Sequence, residues 1–180
     1  VSFSWITGRD DLLTGRLGFL KRRRARVQME DVEEAFRQLA RLGCSHAIVN
    51  ELAQPMPYET GPDGEIYYRF YAYLPDLDQF VESKLNQGTY PLEYLQANLN
   101  LLKAQARLAD RYGLTPGMSV ANPRSVPESL LERYPFLRGA RVDHTFRAYR
   151  PRYTLTLAHP AVRWHYAELI KALLTEVPEL

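Results

Sequence analysis

The sequence predicts an α/β fold, the amino-terminal part of a TIM-like (β/α)8 barrel comprising about four βα units. Three observations carry this. Short β-branched or alternating runs recur along the chain, and each precedes a stretch with apolar residues at helical spacing. Neither a G-x-G-x-x-G nor a P-loop motif follows an early strand, which disfavours a doubly wound nucleotide-binding sheet of the same element order. The last helical pattern is followed at once by Val177-Pro-Glu-Leu180, where a fifth strand is expected, so residues 1–180 are predicted to be a partial domain that continues past Leu180.

The elements follow in order. Val1 to Thr7 alternates apolar and small polar residues as a first strand, and Gly8-Arg9-Asp10-Asp11 ends it. Met29, Val32, Ala35, Phe36, Leu39, Ala40 and Leu42 form one buried helical stripe, and Gly43 is placed to terminate it in the left-handed conformation. His46 to Glu51 is a second strand of the kind buried on both faces. Residues 52–75 are rich in proline, glycine and tyrosine, with Gly61-Pro-Asp-Gly64 as the turn of a small hairpin.

Helical spacing returns from Asp76 to Tyr112, broken at Gly88-Thr-Tyr-Pro91, which predicts two helices with the longer one over Pro91–Tyr112. Leu114 to Asn122 is a third strand with its proline near the start. Val126 to Tyr134 is a short helix and Gly139 to His144 a fourth strand, expected to run parallel to the others. An arginine- and tyrosine-rich loop then leads to a helix over Pro160–Thr175.

Composition narrows the function. With 46% apolar residues the chain is expected to bury a sizeable core, and a net charge of +2 argues against nucleic acid as a partner. The basic run Lys21 to Arg26 is read as a solvated loop. No apolar run reaches the roughly 18 residues needed to cross a bilayer, so no membrane partner is expected. The single cysteine, Cys44, has no partner for an internal disulfide and is read as a small buried residue. The sequence decides neither localisation nor oligomeric state.

In parallel barrels, chemistry gathers where the loops leave the carboxyl ends of the strands. That rule selects Thr7, Gly8 and Arg9, then Asn50 and Glu51, then Asn122 and Arg124, then Asp143 and His144. Glu51 and Asp143 are the carboxylates at the later strand ends and hence the local candidates for acid and base work. Glycoside hydrolysis needs two carboxyl groups about 5–10 Å apart. Either acid pairing with Arg9, Arg124 or Arg147 to hold loops together is the competing reading.

His144 and His159 are candidate substrate contacts, His159 also as a helix-entry residue, and His165 is read as structural within its helix. Asp143 and His144 point to opposite faces of a strand, and no H-x-H, H-E-x-x-H or C-x-x-C spacing is present, so neither metal nor cofactor is expected. Tyr58, Tyr67, Tyr68, Tyr71, Tyr73, Tyr149 and Tyr153 concentrate in the two long loops. Aromatic faces stack on the C–H faces of sugar rings while arginine, asparagine and acids take the hydroxyls, a combination that points to carbohydrate.

Two longer stretches resemble the amino-terminal half of glycosidase-type barrels of the group that includes the α-glucuronidases and β-hexosaminidases. They are Ala40-Arg-Leu-Gly-Cys-Ser-His-Ala-Ile-Val-Asn50-Glu51 and Leu108-Ala-Asp-Arg-Tyr-Gly-Leu-Thr-Pro-Gly-Met-Ser-Val-Ala-Asn122-Pro123. The segment Ala158-His-Pro-Ala-Val-Arg-Trp-His-Tyr166 is similar to the stretch these enzymes place before the strand bearing catalytic acids. The resemblance implies O-glycosyl hydrolysis by the longer protein, with Asn50 and Asn122 contacting sugar. It also implies that the principal catalytic acids lie beyond Leu180, which would make Glu51 and Asp143 substrate ligands or supporting groups. The alternatives are a metal-dependent barrel isomerase or aldolase, and a non-catalytic carbohydrate- or partner-binding barrel.

Overall fold

A computed structural model describes residues 2–3, 29–50, 77–120, 126–142 and 152–180. Strand β1 is Ser2–Phe3, helix α1 Met29–Arg41, β2 His46–Ile48, α2 Leu92–Arg111 and β3 Thr115–Gly117. Helix α3 is Glu128–Arg133, β4 Arg138–Val142, β5 Arg152–Leu155 and α4 Pro160–Glu176. Single 3-10 turns cover Leu77–Gln79 and Pro135–Leu137.

Helix α1 exists because its apolar residues share one face: Val32, Ala35, Phe36 and Leu39 are all at most 2% exposed. Both α1 and α2 end in the same way. Gly43 and Gly113 take φ of 74° and 70°, and their N–H groups donate to Ala40 O and Asp110 O at 3.0 and 2.8 Å. The next N–H groups, of Cys44 and Leu114, reach back to Leu39 O and Ala109 O at 3.1 and 3.0 Å. This left-handed glycine cap turns each helix sharply toward the strand that follows it.

The consequence is a three-stranded parallel sheet in the order β1-β2-β3. Ser2 pairs with His46 and Phe3 with Ala47, while His46, Ala47 and Ile48 pair with Thr115, Pro116 and Gly117. The main core lies between this sheet and α1, α2 and α4. It is built from Phe36, Leu39, Ala47, Val49, Leu102, Leu169 and Leu173, among others.

Three sequence expectations are corrected. The predicted fourth strand does form, as β4, but it pairs antiparallel with β5, and β5 occupies part of the expected loop. Parallel neighbours need a crossover of a dozen or more residues, and only residues 143–151 separate β4 from β5, so the local connection favours a hairpin. The register Arg138↔Leu155, Arg141↔Tyr153 contains an irregularity at Gly139. A Cβ there would lie 2.6 Å from Thr154 Oγ1 and 2.7 Å from the Leu155 carbonyl carbon, so this close approach requires glycine.

The helix predicted after Asp76 shrinks to the turn Leu77–Gln79. Side chains have taken over the backbone donors beyond it: Ser83 N–H donates to Asn86 Oδ1 at 2.7 Å and Leu85 N–H to Ser83 Oγ at 3.1 Å. Tyr153, expected in a sugar-facing loop, sits in β5 with the Arg138 guanidinium 4.7 Å above its ring. The hairpin predicted at Gly61–Gly64 and the basic run at 21–26 lie outside the described residues.

The hairpin has a core of its own, in which Val126, Leu130, Leu131, Leu137 and Leu155 pack against Val162 of α4. It is therefore an excursion that leaves β3 and returns at α4.

Candidate functional site

Parallel pairing in register brings the carboxyl ends of β1, β2 and β3 to one edge of the sheet. The chain leaves β2 through Val49 and Asn50, both fully buried. Val49 N–H donates to Gly117 O at 2.9 Å, the last backbone bond of the β2–β3 ladder. Asn50 adds one more step with its side chain. Its Nδ2 donates to Ser119 O at 2.8 Å, and its Oδ1 accepts from Ser119 N–H at 3.0 Å. The carboxamide thus pairs as a peptide group would, and it fixes the direction in which the chain leaves β3.

Asn50, expected as a sugar contact, is engaged at both ends of its amide with Ser119 and so positions this rim. Replacing Asn50 by alanine is expected to cost about 1–3 kcal/mol, the penalty for leaving a part-buried N–H and C=O unmet. A urea titration reading a midpoint change equivalent to under 0.5 kcal/mol would show that Ser119 needs no such clamp.

His159, the other expected contact within the described residues, begins α4. Its Nδ1 accepts from Ala161 N–H at 3.2 Å, so the proton of the neutral ring is assigned to Nε2. The ring lies 5.5 Å from that of Phe136, tilted by 50°. It belongs with the hairpin, while Asn50 belongs with the parallel sheet. Arg9, Glu51, Asn122, Arg124, Asp143 and His144 lie outside the described residues. Glu51 follows the clamped Asn50 directly, and Asn122 and Arg124 come three and five residues after the clamped Ser119.

One polar pair escaped the sequence reading. His165 of α4 is buried, and its Nδ1 lies 2.6 Å from Ser83 Oγ. Burial pushes its pKa down to about 4, with the Glu168 carboxylate acting in the opposite sense. Glu168 in turn accepts the Lys84 N–H at 3.1 Å. Ser83 borders an open hollow of about 660 Å³ whose rim also carries Glu82, Lys84, Glu168 and Lys171. A serine at hydrogen-bond distance from histidine is the geometry of a nucleophile and base. Ser83 Oγ, however, also accepts from Leu85 N–H and lies 3.2 Å from Asn86 Oδ1, so the pair acts as a pin between the 83–89 turns and α4. Nothing local in the sequence signals it, because its members are 82 residues apart.

A second buried polar group joins the Leu77–Gln79 turn to the start of α2. Tyr90 and Tyr94 stack at 5.6 Å, Gln79 Nε2 donates to Tyr94 OH at 3.3 Å, and Asn98 Nδ2 donates to Gln79 O at 2.9 Å. Among the described residues, no group of three or more His, Cys, Asp or Glu side chains is arranged to hold a metal ion. No helix there is long and apolar enough to cross a membrane.

No known protein-family profile, curated protein sequence or solved structure matches this chain significantly.

Proposed function

We propose that the chain is part of a carbohydrate-active enzyme of glycoside-hydrolase type. In this reading it is a partial (β/α) barrel contributing one side of a sugar-binding cleft at the carboxyl ends of its strands. One observation carries the proposal: β1, β2 and β3 are parallel, adjacent in chain order, and release their following segments at a common edge. Those segments hold Arg9, Glu51, Asn122 and Arg124, the side-chain types that take sugar hydroxyls. The excursion carrying Asp143, His144 and His159 departs from the same end of β3. Glu51 and Asp143 are the carboxylates this chain offers to the cleft, Glu51 coming directly after the clamped Asn50 in the sequence.

The experiment is a titration of the 180-residue chain with two probes, a glucuronic-acid-substituted xylo-oligosaccharide and diacetylchitobiose, followed by amide chemical shifts. Shifts are expected at Ser119 and Val120, beside the Asn50 clamp. Glu51→Gln is expected to weaken binding by roughly 10- to 100-fold, the loss of a hydrogen bond to a charged group. Absence of shifts at Ser119 and Val120 with both probes would reject the carbohydrate reading.

A further inference from the structure

The contact that pins the 83–89 turns to α4 also has the parts of an acyl-transfer site. Ser83 Oγ and His165 Nδ1 are 2.6 Å apart, in residues that are 6 and 2% exposed. That separation is short for an N–H donor and within the range of a hydroxyl, so the Ser83 proton is assigned to the bond with Nδ1. Burial keeps the ring uncharged at neutral pH, which leaves Nδ1 ready to accept. Glu168, three residues further along α4, is the charge that favours the imidazolium once the proton has moved.

Asn86 supplies a second, independent observation. It is 1% exposed, and its Oδ1 accepts from Ser83 N–H at 2.7 Å and lies 3.2 Å from Ser83 Oγ. Its Nδ2, on the same carboxamide, is buried without a hydrogen-bond partner. Leaving a buried amide donor unmet costs about 1–3 kcal/mol, and this one lies within a carboxamide's width of a serine–histidine pair. The hollow of about 660 Å³ opens at the same place, where Ser83 lines it together with Val81, Gln87 and Ala172. That is room for a small ester. Both segments that line it, 81–87 and 168–176, lie wholly within the described residues.

We propose that Ser83, His165 and Asn86 form a site that hydrolyses esters of short carboxylic acids, an activity separate from the carbohydrate reading above. Ser83 Oγ adds to the ester carbonyl carbon as its proton passes to His165 Nδ1. The carbonyl oxygen takes the negative charge, and Asn86 Nδ2 is the donor that meets it. Collapse of this adduct breaks the bond to the alcohol oxygen, which leaves with the proton from His165, and the acyl group stays on Ser83. Water then gives a proton to His165 and adds to the acyl carbon, and Ser83 Oγ departs and recovers that proton. The Leu85 N–H, 3.1 Å from Ser83 Oγ, favours the oxygen as it loses its proton. Pinning the turns to α4 thus holds nucleophile and base in the one geometry that the proton transfer needs.

The test has two arms, both on the 180-residue chain at neutral pH. In the first, p-nitrophenyl acetate is the substrate, and release of p-nitrophenolate is expected to continue past one equivalent per chain. Ser83→Ala should return the rate to that of the ester in buffer alone. Asn86→Asp keeps the oxygen that holds Ser83 N–H and removes the amide donor, and should lower the rate about 100- to 1,000-fold. Each variant is assayed where its circular dichroism matches the parent's. In the second arm a fluorophosphonate is added to the parent chain, and peptide mapping is expected to find phosphorus on Ser83 with fluoride released. A parent chain that neither turns over the ester nor is labelled would overturn the proposal whatever the variants do. So would labelling at another residue, or turnover that survives Ser83→Ala.

Discussion

Replacing Phe36 by alanine is expected to lower the stability of the chain by about 3–5 kcal/mol, read as a fall in urea midpoint at unchanged slope. Phe36 is 1% exposed and among the largest fully buried side chains of the protein. It projects from α1 into the core shared by the parallel sheet, α2 and α4, so a cavity there loosens the contact that holds the first crossover in place. Domains of this size hold about 5–15 kcal/mol in total, which makes the loss a large share of the whole. Arg37 is the control one residue away. It lies on the exposed face of α1, paired with Glu34 at the surface, and Arg37→Ala should stay within about 0.5 kcal/mol of the parent. Equal effects for the two variants would show that α1 does not dock by the Val32–Phe36–Leu39 stripe.

Acidification is expected to remove about 3 kcal/mol through His165 alone. In the unfolded chain this ring titrates at its ordinary value of 6.5, and burial against Ser83 lowers that to about 4 in the fold. The folded state therefore favours the neutral ring. Its contribution is complete above pH 6.5, declines as pH falls from 6.5 toward 4, and is gone below that. At about 1.4 kcal/mol per pH unit, the interval corresponds to the figure given. Glu168 is the nearby charge that would soften the loss by favouring the imidazolium. The measurement compares stability at pH 7.5 and pH 4 for the parent and for His165→Gln. The variant should be weaker at pH 7.5, because its amide replaces a matched ring, yet lose about 3 kcal/mol less on acidification. Parallel stability curves for the two proteins would show that His165 is not held neutral.

Part of this architecture was written locally. The stripe Val32–Ala35–Phe36–Leu39 specified α1, and Gly43 and Gly113 specified where two helices turn into strands, because each involves interactions only three to five residues apart. Pro160 marked the start of α4 for the same reason. Of the expected site residues, Asn50 and His159 could be followed into the fold: His159 begins α4, as its place before Pro160 suggested, and Asn50 follows β2. Their partners could not be read from the sequence, since an amide at a strand end suits a ligand and a neighbouring backbone equally well.

The decisions left to tertiary structure were those between distant segments. Asn50 found Ser119 across 69 residues and Ser83 found His165 across 82. The segment 138–142 became a strand, but its direction depended on β5 lying closer than any crossover would bring it. Alternation of side chains is the same in parallel and antiparallel pairing, so the sequence by itself determined that strands form and where helices stop. Only the assembled core decided which strands meet, because that choice is made by burial and backbone bonding summed over the whole chain.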